Sequence, residues 1–280
     1  MKVTLWGTRG SLATPGPDTA RYGGNTSCVG VRGQDGTVLV LDAGTGIRGM
    51  GKTIEASVKR IDILLSHLHM DHIQGLGFFA PLFRPDLVVG IWGPVSSQVT
   101  LRERLMRYLS PPLFPVSLRE LPCAITLHDV PCGEVEIGEF RVSAALVCHP
   151  GPTVGYRITD ARGSVVTYLP DHEPALGASA FPTLPLAWTS GGALAAKADL
   201  LIHDSQYSAA EYPDHIGWGH SSFKHALDFA TLSEVKHLVP FHHDPGHTDA
   251  DIDRLMEEAM TEANPACRVT SGREGATFQL

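Results

Sequence analysis

The segment His67-Leu68-His69-Met70-Asp71-His72 gathers three histidines and one aspartate within six positions. Neutral imidazole and carboxylate are ligands suited to zinc, and also to manganese or iron. An apolar run at 61–65 precedes the segment and reads as a buried strand. A sharp turn out of that strand into a helix lets His67 and His69 converge on one ion while Asp71 and His72 face a second. Such a loop is built to hold metal, and by itself it suits several chemistries.

Fourteen histidines is a large number for 280 residues, and most of them stand at the ends of strand-like runs. His149 follows the run at 144–148, Asp171 the run at 165–169, and His242 the run at 238–241, with His243 as the adjacent alternative. Together with His67, His69, Asp71 and His72 these make seven ligands, enough for two metals joined by a shared carboxylate. Asp42, at the end of the run 38–41, is placed to orient the ligand loop from behind.

Positioning these residues requires a succession of short strands. Strands are predicted at 3–6, 28–31, 38–41, 61–65, 87–92, 125–127, 134–137, 140–144, 154–158, 165–169, 200–202 and 238–241. Helices are predicted at 73–79, 96–109, 221–232 and 248–263, the last opening on Thr248 and acidic residues. A long polar loop at 14–27 carries Arg21, Tyr22 and Asn25 and is expected to line a substrate pocket. Arg102, Arg104 and Arg107 fall at helical spacing among leucines and read as a solvated face. The proline-rich stretch 111–115 is expected to form a rim or a dimer contact.

Composition bounds the rest. With 43% hydrophobic and 19% charged residues and no internal repeat, 1–280 reads as one globular domain. No apolar run approaches the roughly eighteen residues of a membrane span, and the N-terminus lacks the apolar stretch of a secretion signal, so a cytoplasmic location is the default. The five cysteines Cys28, Cys123, Cys132, Cys148 and Cys267 form no C-x-x-C pair and are expected to be small core residues. A net charge of −8 weighs against extended RNA or DNA as a partner.

In the order of these motifs the chain resembles the metallo-β-lactamase superfamily. The resemblance runs from residue 3 to residue 243 and rests on Asp42, His67-x-His69-x-Asp71-His72, His149, Asp171 and His242. It implies an α/β fold, a four-layer αββα sandwich. It also implies that His67, His69 and His149 hold one metal, that Asp71, His72 and His242 hold the other, and that Asp171 bridges them. The implied cofactors are two divalent ions, expected to be zinc, with manganese or iron accepted by the same ligands. Cysteine stands where this chain has Asp171 in the commonest β-lactamases, and glutamate where it has His69 in the oxygen-reducing di-iron branch. Both differences point away from those activities.

The segment 198–204 and the later Gly219-His220-Ser221 look like the downstream half of the tRNase Z and phosphodiesterase branch. The likeness assigns Asp204 and His220, beside Asp71, to catalysis, with His220 donating a proton to the leaving group and Asp204 orienting it. The alternative for His220 is a cap on the helix that follows. Only a short hairpin separates His149 from Asp171, where tRNase Z carries a long tRNA-gripping arm. The expected substrate is therefore a small phosphodiester such as a cyclic nucleotide, and a homodimer is the family expectation. A lactone, thioester or carboxyl-ester hydrolase and a metal-bound sensor are the competing functions.

Overall fold

The computed structural model describes residues 1–131, 133–174, 176 and 185–280. Fourteen strands among them form two seven-stranded sheets. The first sheet contains β1 (Lys2–Gly7), β2 (Cys28–Arg32), β3 (Val38–Leu41), β4 (Arg60–Leu64), β5 (Val88–Pro94) and β6 (Ala124–Val130) in that spatial order. The second contains β7 (Glu134–Ile137), β8 (Phe140–Leu146), β9 (Val154–Thr159), β10 (Val165–Leu169), β11 (Leu200–Asp204), β12 (His237–Phe241) and β13 (Arg268–Val269), also in order. A last strand, β14 (Thr277–Gln279), returns to the first sheet beside β1.

Side chains alternating along the strands explain the layers. Val38 and Val40 belong to an apolar cluster on the outer face of the first sheet, whereas Leu39 and Leu41 belong to the cluster between the sheets. Helices α1 (Ile47–Gly51), α2 (Met70–Ile73) and α3 (Leu101–Met106) accompany the first sheet, and the buried Ile47, Ile73, Leu101 and Leu105 complete its outer cluster. In the second sheet Leu200 and Ile202 face inward while Leu201 faces α4 (Gly192–Ala195), α5 (Phe223–Leu232) and α6 (Asp249–Ala263). The result is the four-layer αββα arrangement, with an apolar layer at each of its three junctions.

β3 to β6 run parallel, as do β10 to β13, so within each sheet the strand ends that carry functional residues open on one edge. The Tyr156 hydroxyl, on β9, donates across the sandwich to the Leu65 carbonyl at 2.7 Å, just ahead of the histidine motif. Tyr156→Phe should therefore lower stability by about 1 kcal/mol, the usual value of one such bond, read as a lowered urea midpoint at constant slope.

Several elements differ from their sequence-based outlines. The helix expected at 73–79 is instead α2, one turn starting at Met70, followed by a 3-10 turn at Leu76–Phe78. Between the two turns Gly75 packs against the Gly44 loop so closely that a Cβ there would stand 2.1 Å from the Gly44 carbonyl oxygen. The helix expected at 96–109 contracts to α3, which opens where Thr100 and Glu103 form a reciprocal cap. β13 and β14, two and three residues long, carry too little apolar pattern to be read in advance. Cys28 and Cys123 are buried, while Cys148 and Cys267 are half-buried. Cys132 lies outside the described residues.

Candidate metal centre

The ligand loop leaves β4 with its backbone already anchored. Asp42 is fully buried at the end of β3, and its Oδ1 accepts from the Ser66 amide at 2.7 Å. Its Oδ2 accepts from the Ser66 hydroxyl at 2.8 Å, from Nδ1 of His72 at 2.7 Å and from the Tyr168 hydroxyl at 2.9 Å. Asp42 reaches these partners from a left-handed backbone with φ of 57°, a conformation that aspartate tolerates better than most residues. With Nδ1 of His72 occupied, its Nε2 is left to face the cluster. Asp42→Asn should weaken metal affinity about 10- to 100-fold, measured by competition with a chromogenic chelator.

The seven side chains singled out in the sequence converge. The nitrogens of His67, His69 and His149 lie within 4.8 Å of one another, as do the ligand atoms of Asp71, His72 and His242. Asp171, 2% exposed, sits between the groups. Its Oδ1 is 3.0 Å from Nε2 of His72 and 3.3 Å from Nε2 of His242, and its Oδ2 is 3.7 and 3.8 Å from Nε2 of His67 and of His149. The choice between His242 and His243 is made by tertiary contacts. His242 turns inward from a left-handed backbone with φ of 62°, and its Nδ1 donates to Oε1 of Gln206 at 2.9 Å. His243 turns away and donates from Nε2 to the Gly272 carbonyl at 2.8 Å.

These residues fit divalent cations on their own geometry. Nε2 of His67 is buried with no hydrogen-bond partner. Nε2 of His72 faces Nε2 of His242 at 3.3 Å, and Nε2 of His149 faces Nδ1 of His69 at 3.2 Å. Ring nitrogens aimed at one another are poorly served by protons alone and well served by a shared cation. Burial drives His67, His69 and His149 toward the neutral form that binds metal. Burial opposes the charge on Asp171 and Asp71, but the neighbouring imidazoles outweigh it and hold both carboxyls well below their usual range.

The Asp204 and His220 pair stands on the edge of this cluster. Nδ1 of His220 donates to Oδ2 of Asp204 at 2.7 Å. Asp204 is fully buried, and the amides of His172, Gln206 and Ser221 also donate to it, so its position is fixed from four directions. Burial disfavours the charged imidazolium of His220, yet Asp204, Asp171 and Asp71 together push it up to about 9. The ring stacks on His242 with centroids 5.1 Å apart. His220 does not cap α5: Ser222 does, its side chain accepting from the His225 amide.

Three positioning groups escaped the sequence reading. Gln206 orients His242, as above. Glu173, 1% exposed, accepts from the amides of Gly217 and Gly219 and from the Tyr212 hydroxyl. It thereby holds the loop whose Gly219 carbonyl accepts from Nδ1 of His149 at 3.0 Å. Gly219 has φ of 86°, and a Cβ on it would lie 2.4 Å from Nδ1 of His149, so the glycine before His220 is a steric requirement. The third group is a chain of hydrogen bonds behind the cluster. Nδ1 of His203 donates to the Asp204 carbonyl at 2.7 Å, leaving its Nε2 to pair with Nδ1 of His172 at 2.9 Å. His172 is thus a buried support behind the sheet end and does not enter the cleft.

The loop at 14–27 serves a different purpose from the one its composition suggests. Arg21 pairs with Asp253 on α6, the Tyr22 hydroxyl donates to the same aspartate, and Asn25 donates to Glu274. These side chains fasten the loop to α6 and the C-terminal turn and do not line the cleft. His247 pairs with Glu211 at 3.0 Å, outside the cluster. A hollow of about 250 Å³ adjoins the centre, lined by His67, His69, Arg104, Arg107 and the 150–152 turn. A larger one of about 500 Å³ lies at the start of β4, where Arg60 and Lys59 are already paired with Asp62 and Asp86.

Comparison with known proteins agrees with this architecture. The beta-lactamase superfamily domain matches residues 37–243. A ribonuclease Z from Crocosphaera subtropica is 26% identical over 305 residues, covering 92% of this chain and 92% of that one. The metallo-beta-lactamase fold protein YhfI from Bacillus subtilis superposes with a TM-score of 0.69 at 19% identity, over 99% of this chain and 98% of that one. A diphosphatase of the PhnP family superposes with a TM-score of 0.67 at 18% identity, over 100% and 97%. The chain belongs to the beta-lactamase superfamily, as a metal-dependent hydrolase of the metallo-β-lactamase fold.

Proposed function

We propose that the protein is a dinuclear metal-dependent phosphodiesterase acting on a small phosphodiester. The observation that carries this reading is the Asp204 and His220 pair, joined at 2.7 Å beside the cluster. Phosphodiester hydrolysis expels an alkoxide that needs a proton, and a histidine held charged by a buried carboxylate can give it. His67, His69 and His149 would hold one ion and Asp71, His72 and His242 the other, with Asp171 between them. Divalent ions bound there supply an activated water and neutralise the phosphoryl oxygens. The similarity to ribonuclease Z supports phosphodiester chemistry. The net charge of −8 and the short β9–β10 hairpin between His149 and Asp171 support a small substrate over a long nucleic acid.

Purified protein with its metal content measured should hydrolyse bis(p-nitrophenyl) phosphate and cyclic or linear dinucleotides. Hydrolysis of a lactone or thioester, with no cleavage of any phosphodiester by metal-replete protein, would overturn the proposal.

A further inference from the structure

The arginines at 102, 104 and 107 were expected to face solvent, and Arg102 and Arg107 are exposed; Arg104 and Arg107 also line the hollow of about 250 Å³ next to His67 and His69. Spacing of three places both side chains on one face of the α3 turn, while Leu101, Leu105 and Tyr108 are buried in the cluster beneath. Nη2 of Arg104 donates to the Pro94 carbonyl, which fixes the guanidinium, and its Nε has no hydrogen-bond partner. Arg107 makes no side-chain hydrogen bond or ion pair among the described residues, and Glu103 is the acid whose charge it reaches. Among the described residues no carboxylate lines the hollow; Asp129 and Glu103, whose charges reach Arg104 and Arg107, stand outside it. In a chain of net charge −8, an exposed Arg107 beside a half-buried Arg104, both lining a hollow at the candidate metal centre, call for an anion.

We infer that Arg104 and Arg107 form a subsite for a second phosphate of the substrate, one that is retained while the diester at the metal centre is cleaved. Guanidinium groups match phosphate oxygens with paired donors, which an ammonium cannot do. The hollow opens directly on His67 and His69, so a phosphate held there adjoins the diester at the metal centre. The substrate class narrows accordingly, from any small phosphodiester to one bearing a terminal phosphate, such as a phosphorylated dinucleotide. This inference rests on the phosphodiesterase reading above.

The test compares ApA with its 5′-phosphorylated and 3′-phosphorylated forms, using metal-replete protein and chromatographic assay. The wild-type enzyme should prefer one phosphorylated form over ApA by about tenfold in kcat/KM, mainly through KM, as expected for one charge-assisted contact. Arg107→Gln should bring that ratio close to 1, and Arg107→Lys should restore only part of it. Arg104→Gln should act in the same direction; because Arg104 also ties α3 to Pro94, the exposed Arg107 decides the matter if that variant folds poorly. Cleavage of all three dinucleotides without preference, or a preference that survives Arg107→Gln, overturns the subsite and leaves the phosphodiesterase reading standing. If no dinucleotide and no bis(p-nitrophenyl) phosphate is cleaved, both readings fall together.

Discussion

Asp171→Asn will lower kcat/KM toward bis(p-nitrophenyl) phosphate by roughly a thousandfold or more, the equivalent of about 4 kcal/mol of lost charge stabilisation. On the proposed dinuclear reading, bound metal will fall from two ions per chain toward one. The carboxylate of Asp171 is 2% exposed and lies within 3.0 to 3.9 Å of ring nitrogens from His72, His242, His67, His149 and His220. No other acid in the cluster faces both groups of histidines at these distances. Asparagine keeps the volume and one oxygen but removes the charge that lets two cations approach one another. Elemental analysis after desalting, with a thermal melt to establish folding, reads the result. Full metal content and activity in the variant would show that Asp171 does not bridge.

His220→Ala gives the second large effect and separates proton donation from metal binding. Loss of a positioned general acid should slow turnover about 10²- to 10⁴-fold, with metal content unchanged. The loss should be larger for a dinucleotide than for bis(p-nitrophenyl) phosphate, because p-nitrophenolate leaves readily without a proton and a nucleoside alkoxide does not. That dependence on the leaving group distinguishes donation from mere support of His242, on which the ring stacks. A drop in bound metal would point elsewhere, since His220 also lies within 4.8 Å of ligand atoms of His149 and Asp171. It would then be a ligand and the proton donor a different group.

The two arguments draw unequally on sequence and structure. The convergence of the six-residue histidine motif was legible because its candidate ligands are local: a strand end and one helical turn place them close together. The ends of the runs at 165–169 and 238–241 were legible for a related reason. A buried strand must surface at its end, and polar residues concentrated there have a purpose. The four layers were implied by the family resemblance, and the strand alternation is consistent with them, since Val38 and Val40 divide from Leu39 and Leu41 between two apolar clusters.

What escaped the sequence depends on contacts between distant segments. Gln206, Glu173 and the pair His172 and His203 have no spacing signal, since each acts through a partner that only folding brings near. Arg21, Tyr22 and Asn25 looked like pocket residues because polar loops often line pockets, but α6 and Glu274 claim them. Arg104 and Arg107 looked solvated because helical periodicity says which face is polar and nothing about what that face overlooks.

The sequence by itself determined the candidate ligand types and the order of the strand ends that carry them, because these follow from local pattern, and the order of those motifs implied the layered fold through the family resemblance. The tertiary structure decided that His242 and not His243 turns inward, that His220 meets Asp204 and leaves the capping of α5 to Ser222, and that two arginines overlook the centre. Neighbouring residues in a chain are chemically alike on paper. Only the direction of the backbone at His242, with φ of 62°, and the partners waiting for each side chain make them different.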